Sequence, residues 1–489
     1  MKISLSEFYA ILSTAIFFTH WLLVVVITIR IITRRRPTTY VVSWLFVIYL
    51  IPFLGIILYL LLGEVHLGKM RVTRAQKQQK QISHFIHQLK NYPTIFTSEV
   101  SPVAKPIFQL CKHHTGLNGI IGNQIELLTS ANQVFDRLIQ DIDSATSNIE
   151  LVFYIWSKGG RANEVEAALI RAAQRGVKCR LMLDSAGSRQ FLRTTDCHHM
   201  KAAGIELIEV LKVNLLRFVF RRLDLRQHRK MVIIDNHISY TGSMNIVDPR
   251  YFKQDKNVGE WVDVMLRMNG PISALMSTIY TSDWELETGA HLELPKVTHL
   301  AVSPDEQGHT LQLVASGPGY SENMIHQVLL TAIYAAQKKI ILTTPYFVPS
   351  DDILNALCTV SQRGVEVIII VPEKVDSVMV KWASRAFFTE LLEANIKIFE
   401  FQHNLLHTKS VLIDEQVSFV GTVNLDMRSL WLNFEITSVI DDLTFGHDMH
   451  QLLDSYLANS IPINKQAWLK RPFWQHMVER IFYLFAPLL

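Results

Sequence analysis

The chain is poor in cysteine and in charge. Cys111, Cys179, Cys197 and Cys358 are its only four thiols. No two stand at a Cys-x-x-Cys spacing, which removes the common short zinc-binding and redox motifs. Four thiols spread over 489 residues also exclude a disulfide framework, which belongs to short, cysteine-dense chains. They are expected as buried thiols. Charged residues make up 19% against 49% hydrophobic, so membrane segments are the first thing to look for. Neither sign of charge dominates. The net value of +4 suits an anionic lipid surface, and on charge alone it suits nucleic acid equally. The length is too great for one hydrophobic core and fits two domains with additions.

Two apolar runs open the chain, from about Phe8 to Ile32 and from about Tyr40 to Leu62. At about 23–25 residues, each is long enough to cross a bilayer as a helix. Between them lies a short charged turn with Arg34, Arg35, Arg36 and Pro37. A cleaved signal peptide is excluded, because the first run is too long for one and a second run follows at once. A transmembrane helical hairpin is expected. His20 falls within the first helix and is expected to be neutral. Lys69, Arg71, Arg74, Lys77 and Lys80 follow the second run, and the positive-inside rule leans towards a cytoplasmic body.

The rest of the chain is written twice. Ile149–Tyr154 and Lys339–Tyr346 read as strands, each followed by a helix, an Arg-Gly pair (Arg175-Gly176, Arg363-Gly364) and a second strand. A third strand follows, Ile205–Val210 and Ile396–Phe401. Alternating strands and helices predict an α/β fold with a buried sheet, and the glycines predict left-handed helix caps. His228, Lys230, Asp235, Gly242 and Asn245 return as His407, Lys409, Asp414, Gly421 and Asn424, all at an offset of 179 residues. His and Lys two apart on an extended chain face the same way. A duplicated fold explains repeated glycines. It does not explain repeated His, Lys and Asn, which are costly to bury without a task.

Such a set suits phosphoryl chemistry. Lys230 and Lys409 can neutralise phosphate charge, and Asn245 and Asn424 can donate amide hydrogens to the same oxygens. One neutral imidazole can attack phosphorus while the other, protonated, serves the leaving alcohol and then deprotonates the incoming one. That division asks for two pKa values pushed apart. Each imidazole also needs a partner on its other nitrogen. Asp263 follows His228 by 35 residues and Glu435 follows His407 by 28; both open apolar strands and are the candidates. Asp235 and Asp414, at strand ends, suit loop hydrogen bonds better than direct participation.

These residues resemble the phospholipase D superfamily, whose mark is His-x-Lys-x4-Asp used twice; on that resemblance Asp235 and Asp414 count with the catalytic set. The closer similarity is to bacterial cardiolipin synthases. It rests on His228–Met231, Thr241–Asn245, Asp248–Phe252, Pro345–Pro349, Trp382–Phe388, Leu406–Lys409 and Gly421–Ser429, and covers nearly the whole chain. The resemblance implies two phospholipase D-like α/β halves about a pseudo-two-fold axis after the hairpin. The halves are expected at 121–284 and 313–489, with the hairpin in 1–67, a basic connector at 68–120 and a linker at 285–312. It implies that two phosphatidylglycerol molecules become cardiolipin and glycerol through a phosphohistidine on His228, with His407 as acid and base. It implies a multi-pass protein of the bacterial inner membrane, with no metal, no organic cofactor and no nucleic-acid partner. The other readings are a hydrolase of the same site type, either a phospholipase D or a membrane-tethered nuclease, and a non-catalytic lipid-binding protein. Leu215–Arg222 and the tail Trp468–Leu489 mix aromatic, apolar and basic residues, a composition that fits a membrane interface or ordinary packing.

Overall fold

The structure, a computed structural model, describes residues 4–34, 38–51, 53–63, 99–212, 224–295, 308–320 and 323–486, with isolated positions between 71 and 96 and at 222. Arg35–Pro37, Lys69, Lys77, Lys80, the stretch Leu215–Arg221 and the middle of the expected linker lie outside the described residues. The chain divides into two compact units, Met1–Lys69 with Val213–Leu225, and Met70–Lys212 with Arg226–Leu489.

In the first unit, helix Leu5–Thr33 starts at a capping box. The Ser4 side chain accepts from the Glu7 backbone, and Glu7 reaches back to the Ser4 N–H. The expected single helix over the second run is not formed. Helix Thr38–Leu50 stops, Phe53 takes a left-handed φ of 61°, and the chain resumes as Leu54–Leu58 and a wide turn at Tyr59–Gly63. Pro52 supplies the reason in the sequence, since it has no N–H to continue a helix. Among the described residues, Leu5–Thr33 alone is long and apolar enough to cross a membrane. Its Val24, Ile27 and Ile31 pack with Ile48, Ile56 and Tyr59 of the second run, and the His20 ring lies 4.3 Å from that of Phe53.

The second unit is built on one sheet of fifteen strands. From its first edge the order is Glu206–Val210, Lys178–Asp184, Asn148–Phe153, Met231–Ile234, Ile238–Gly242, Met265–Asn269 and Ile120–Leu128. The second half repeats this order outward from the middle: His309–Ser316, Glu435–Asp441, Val417–Gly421, Ser410–Ile413, Lys339–Thr343, Glu366–Pro372 and Lys397–Phe401, with Ser460–Pro462 added at the edge. In each half the three outer strands of this repeat run parallel and the inner ones antiparallel. Ile120–Leu128 pairs with His309–Ser316 and so joins the halves.

Both faces of the sheet are covered, which explains strands as apolar as Ile368-Ile369-Ile370. Helices Ala131–Ser144 and Ala162–Gln174 cover one face of the first half. Met324–Ala335, Asp351–Gln362 and Val378–Glu393 do the same in the second. On the opposite face, Ile272, Met276 and Tyr280 of helix Ile272–Thr288 share one core with Phe445, Met449 and Leu453 of helix Leu443–Ala458. The expected helix caps are present, with Gly176 at φ 88° and Gly364 at φ 101°. Helix Ala104–Thr115, within the expected connector, contributes Ala104, Ile107, Phe108 and Cys111 to the second half's core. All four cysteines are buried.

Candidate active site

Each His-x-Lys segment approaches its strand by pairing with backbone from the opposite half. The His228 N–H donates to the Phe434 carbonyl (3.0 Å), and the Phe434 N–H to that of Arg226 (2.9 Å). In the other copy the His407 N–H donates to the Val262 carbonyl (2.8 Å), and Leu405 to Glu260 (3.0 Å). Phe434 and Val262 are each followed directly by one of the candidate carboxylates. The pairing therefore delivers each acid to the other half's imidazole. His228 Nδ1 lies 2.8 and 2.9 Å from the two oxygens of Glu435. His407 Nδ1 lies 2.7 Å from Oδ1 of Asp263. Nearness in sequence pointed to pairs within each half, and the geometry pairs them across.

Both carboxylates are fixed in turn. Ser243 Oγ donates to Asp263 (2.6 Å) and accepts from the Val264 N–H (3.0 Å). Thr422 Oγ1 donates to Glu435 and accepts from the Ile436 N–H (2.9 Å). Asn433 adds a bond to Glu435 at 3.2 Å. Ser243 and Thr422 stand at the same 179-residue offset, a hydroxyl after the glycine in both copies; that signal was present in the sequence, but their role was not read. Lys230 Nζ donates to the His228 carbonyl (2.8 Å) and Lys409 Nζ to the His407 carbonyl (2.6 Å). Between His and Lys, buried Arg229 donates Nε to the Glu435 carbonyl (3.0 Å) and pairs with Asp283. Thr408, its counterpart, donates to the Val262 carbonyl at 3.3 Å. The asparagines are buried but unlike: Asn245 Oδ1 accepts from the Ile155 N–H (3.0 Å), whereas Asn424 Nδ2 donates to Asp426 (3.1 Å).

Asp235 and Asp414 are not brought to the imidazoles and have other partners. Each is seven residues beyond its histidine, roughly 20 Å along an extended chain. Asp235 accepts from the N–H groups of Thr146, Ser147 and Asn148 at 2.8–2.9 Å. Asp414 accepts from those of Gln337, Lys338 and Lys339 at 2.7–2.8 Å. They pin the turns that enter strands Asn148–Phe153 and Lys339–Thr343.

The description "Cardiolipin synthase, PLD-like domain" matches the chain twice, over residues 138–266 and 329–457, and "Phospholipase_D-nuclease N-terminal" matches 21–64. The chain belongs to the cardiolipin synthase family. Cardiolipin synthase A of Pectobacterium carotovorum subsp. carotovorum (strain PC1) is 55% identical over 99% of this chain and 100% of its own length. That of Yersinia pseudotuberculosis serotype O:1b is 53% identical over the same shares. Among solved structures, the phosphatidylserine synthase of Haemophilus influenzae Rd KW20 superposes with a TM-score of 0.56 at 15% identity, over 75% of this chain and 93% of that one, a likeness of fold. As a cardiolipin synthase family member the protein is a phosphatidyltransferase associated with membrane.

In this family member the site is electrostatically one place. Burial lowers both imidazoles to about 4; Lys230 and Lys409 each push down on both, against the pull of Glu435 on His228 and Asp263 on His407. Burial also brings Lys230 down to about 8 and Lys409 to about 7. Burial works to raise Glu435 and Asp263, but the imidazoles and lysines beside them prevail and hold both carboxyls below their usual range. At neutral pH each histidine is thus neutral, its Nδ1 hydrogen directed at a carboxylate and its Nε2 lone pair free. The two pKa values are not split before substrate arrives. A phosphodiester anion raises both and stabilises the lysine charge. Two aromatic neighbours went unread in the sequence: Tyr154, edge-on to His228 at 5.0 Å, and Trp261, tilted on His407 at 4.3 Å.

Proposed function

We propose that the protein joins two phosphatidylglycerol molecules into cardiolipin and glycerol by double displacement at phosphorus. The supporting observation is the crossed pair of imidazole–carboxylate contacts, His228–Glu435 and His407–Asp263. His228 Nε2 attacks phosphorus of the first lipid, and the P–O bond to glycerol breaks. His407, protonated once the anion is bound, gives its proton to the departing alkoxide. A glycerol hydroxyl of the second phosphatidylglycerol then gives its proton to His407 and attacks phosphorus. The P–N bond breaks, His228 is restored and cardiolipin leaves. Lys230 and Lys409, with Asn245 and Asn424, carry the charge on the phosphoryl oxygens.

Membrane association serves a lipid substrate. The chain is read as lying in the bacterial inner membrane, with helix Leu5–Thr33 crossing it and the broken second run packed alongside as the return segment.

The test is purified full-length protein with phosphatidylglycerol in detergent. Equal release of glycerol and cardiolipin is expected. Phosphatidic acid as sole lipid product would place the protein among hydrolases instead.

A further inference from the structure

Helix Phe473–Tyr483 packs a charge at the centre of its inward side and leaves an apolar side outward. Its one buried residue is Glu479, 2% exposed. Arg471 pairs with the Glu479 carboxylate, and Arg385 Nε donates to it at 3.2 Å. Both guanidinium groups stack on Trp468, at 3.3 Å for Arg471 and 4.5 Å for Arg385. The inward side is therefore fastened by charge at Glu479 and by the half-buried Phe482 and Tyr483, which pack against the second half's core. The outward side is apolar: Phe473 is 77% exposed, Trp474 56% and Ile481 50%, with Met477, Leu484 and Phe485 also exposed. At about 100° per residue, these six fall within an arc of roughly 120°, and Glu479 lies opposite its middle. Helix Val378–Glu393 extends the face with exposed Val378 and Met379, and its Trp382 ring is 6.3 Å from that of Trp474. Single exposed apolar residues are ordinary, but a contiguous patch of them is not.

We propose that this face docks on the surface of a bilayer containing anionic phospholipid. Its fringe is basic, with Lys381, Lys470 and Arg480 all exposed. Aromatic side chains ringed by Lys and Arg fit the headgroup level of such a bilayer, where the rings settle among acyl chains and the cations meet lipid phosphates. The two arginines on buried Glu479, with the core contacts of Phe482 and Tyr483, hold the helix in this orientation, so the face is ready before a membrane arrives.

The experiment uses the full-length chain in vesicles of phosphatidylethanolamine and phosphatidylglycerol. The four native thiols are buried, so an M477C variant takes an environment-sensitive fluorophore at one place. Vesicles carrying a nitroxide near the headgroup should quench at least half of its emission. A W474E/M477E variant should keep the thermal midpoint of wild type, since both positions are exposed. It should lose at least tenfold in kcat/KM on vesicles while keeping its turnover of a dispersed short-chain phosphatidylglycerol. Unquenched emission overturns the proposal, and unquenched emission with disulfide-linked M477C dimers assigns the face to a second copy of the chain. Wild-type kcat/KM of W474E/M477E on vesicles also overturns it.

Discussion

His228 and Glu435 are 207 residues apart in the chain and 2.8 Å apart at Nδ1 and Oε1. Asp263 and His407 mirror them across the two halves at 2.7 Å. Removing one acid should therefore disable the chemistry of the other half's histidine. With a nitrophenyl phosphatidyl ester as donor, Glu435→Gln should slow formation of the adduct on His228. Asp263→Asn should let the adduct form and slow its breakdown. Each variant should lose about 10²–10⁴-fold in steady turnover, the range for a general acid or base and its support. Peptide mass spectrometry of quenched reactions checks this; the reversed pattern would restore pairing within each half.

Lys230→Met and Lys409→Met should each lower kcat by about 10²–10³-fold, because an ammonium aimed at a phosphoryl oxygen acts mainly where charge grows in the transition state. Both side chains are buried, and burial already weighs against their charge, so the thermal midpoints should change little. Parallel measurement of kcat and midpoint separates the two effects. Wild-type turnover in either variant would remove that lysine from the mechanism.

Acid should destabilise the protein before its surface carboxylates account for the loss. The folded imidazoles of His228 and His407 sit at about 4, against 6.5 ordinarily. Between those values the unfolded chain binds protons that the folded chain refuses. Stability is then complete above pH 6.5 and falls as pH drops towards 4, by about 1.4 kcal/mol per pH unit for each imidazole. Thermal midpoints at pH 7.5, 5.5 and 4.5 should fall more steeply for wild type than for H228N/H407N. Parallel curves would show that neither imidazole is held neutral by the fold.

Asp235→Asn and Asp414→Asn should act on stability. Each carboxylate accepts three backbone N–H bonds, and an amide oxygen replaces a charged acceptor by a neutral one. A loss of about 2–4 kcal/mol is expected, from bonds worth about 1.5–3 kcal/mol each when charged. Turnover per folded molecule should stay within a few-fold of wild type. A large kcat loss at an unchanged midpoint would return these residues to the chemistry.

Repetition made the duplicated strands, the helix caps and both His-x-Lys segments legible in the sequence, with a constant offset of 179 residues through the two motifs. Local pattern carries such features, because a turn glycine or an alternating strand is decided within a few residues. The second apolar run misled for the same reason: hydrophobicity alone spells a membrane helix, and Pro52 weighs little in it, yet the helix stops at Leu50 and the chain takes a left-handed turn at Phe53. The crossed acids were beyond reach. Sequence separation says nothing about which half supplies a partner, and the strand pairing of Phe434 and Val262 that settles it joins segments that are distant in the chain.

The exchange of acids between halves also bears on ancestry. A chain with one copy of the motif would be barren by itself, its imidazole without a carboxylate. Two such chains about a two-fold axis would complete two equivalent imidazole–carboxylate pairs, so duplication within one gene could follow a working homodimer without an inactive intermediate. Fusion then lifts a restriction that symmetry imposes: paired positions need no longer hold the same residue. Asp263 against Glu435 and Arg229 against Thr408 are divergence that a homodimer does not permit, and with it one histidine can specialise in attack and the other in moving the proton.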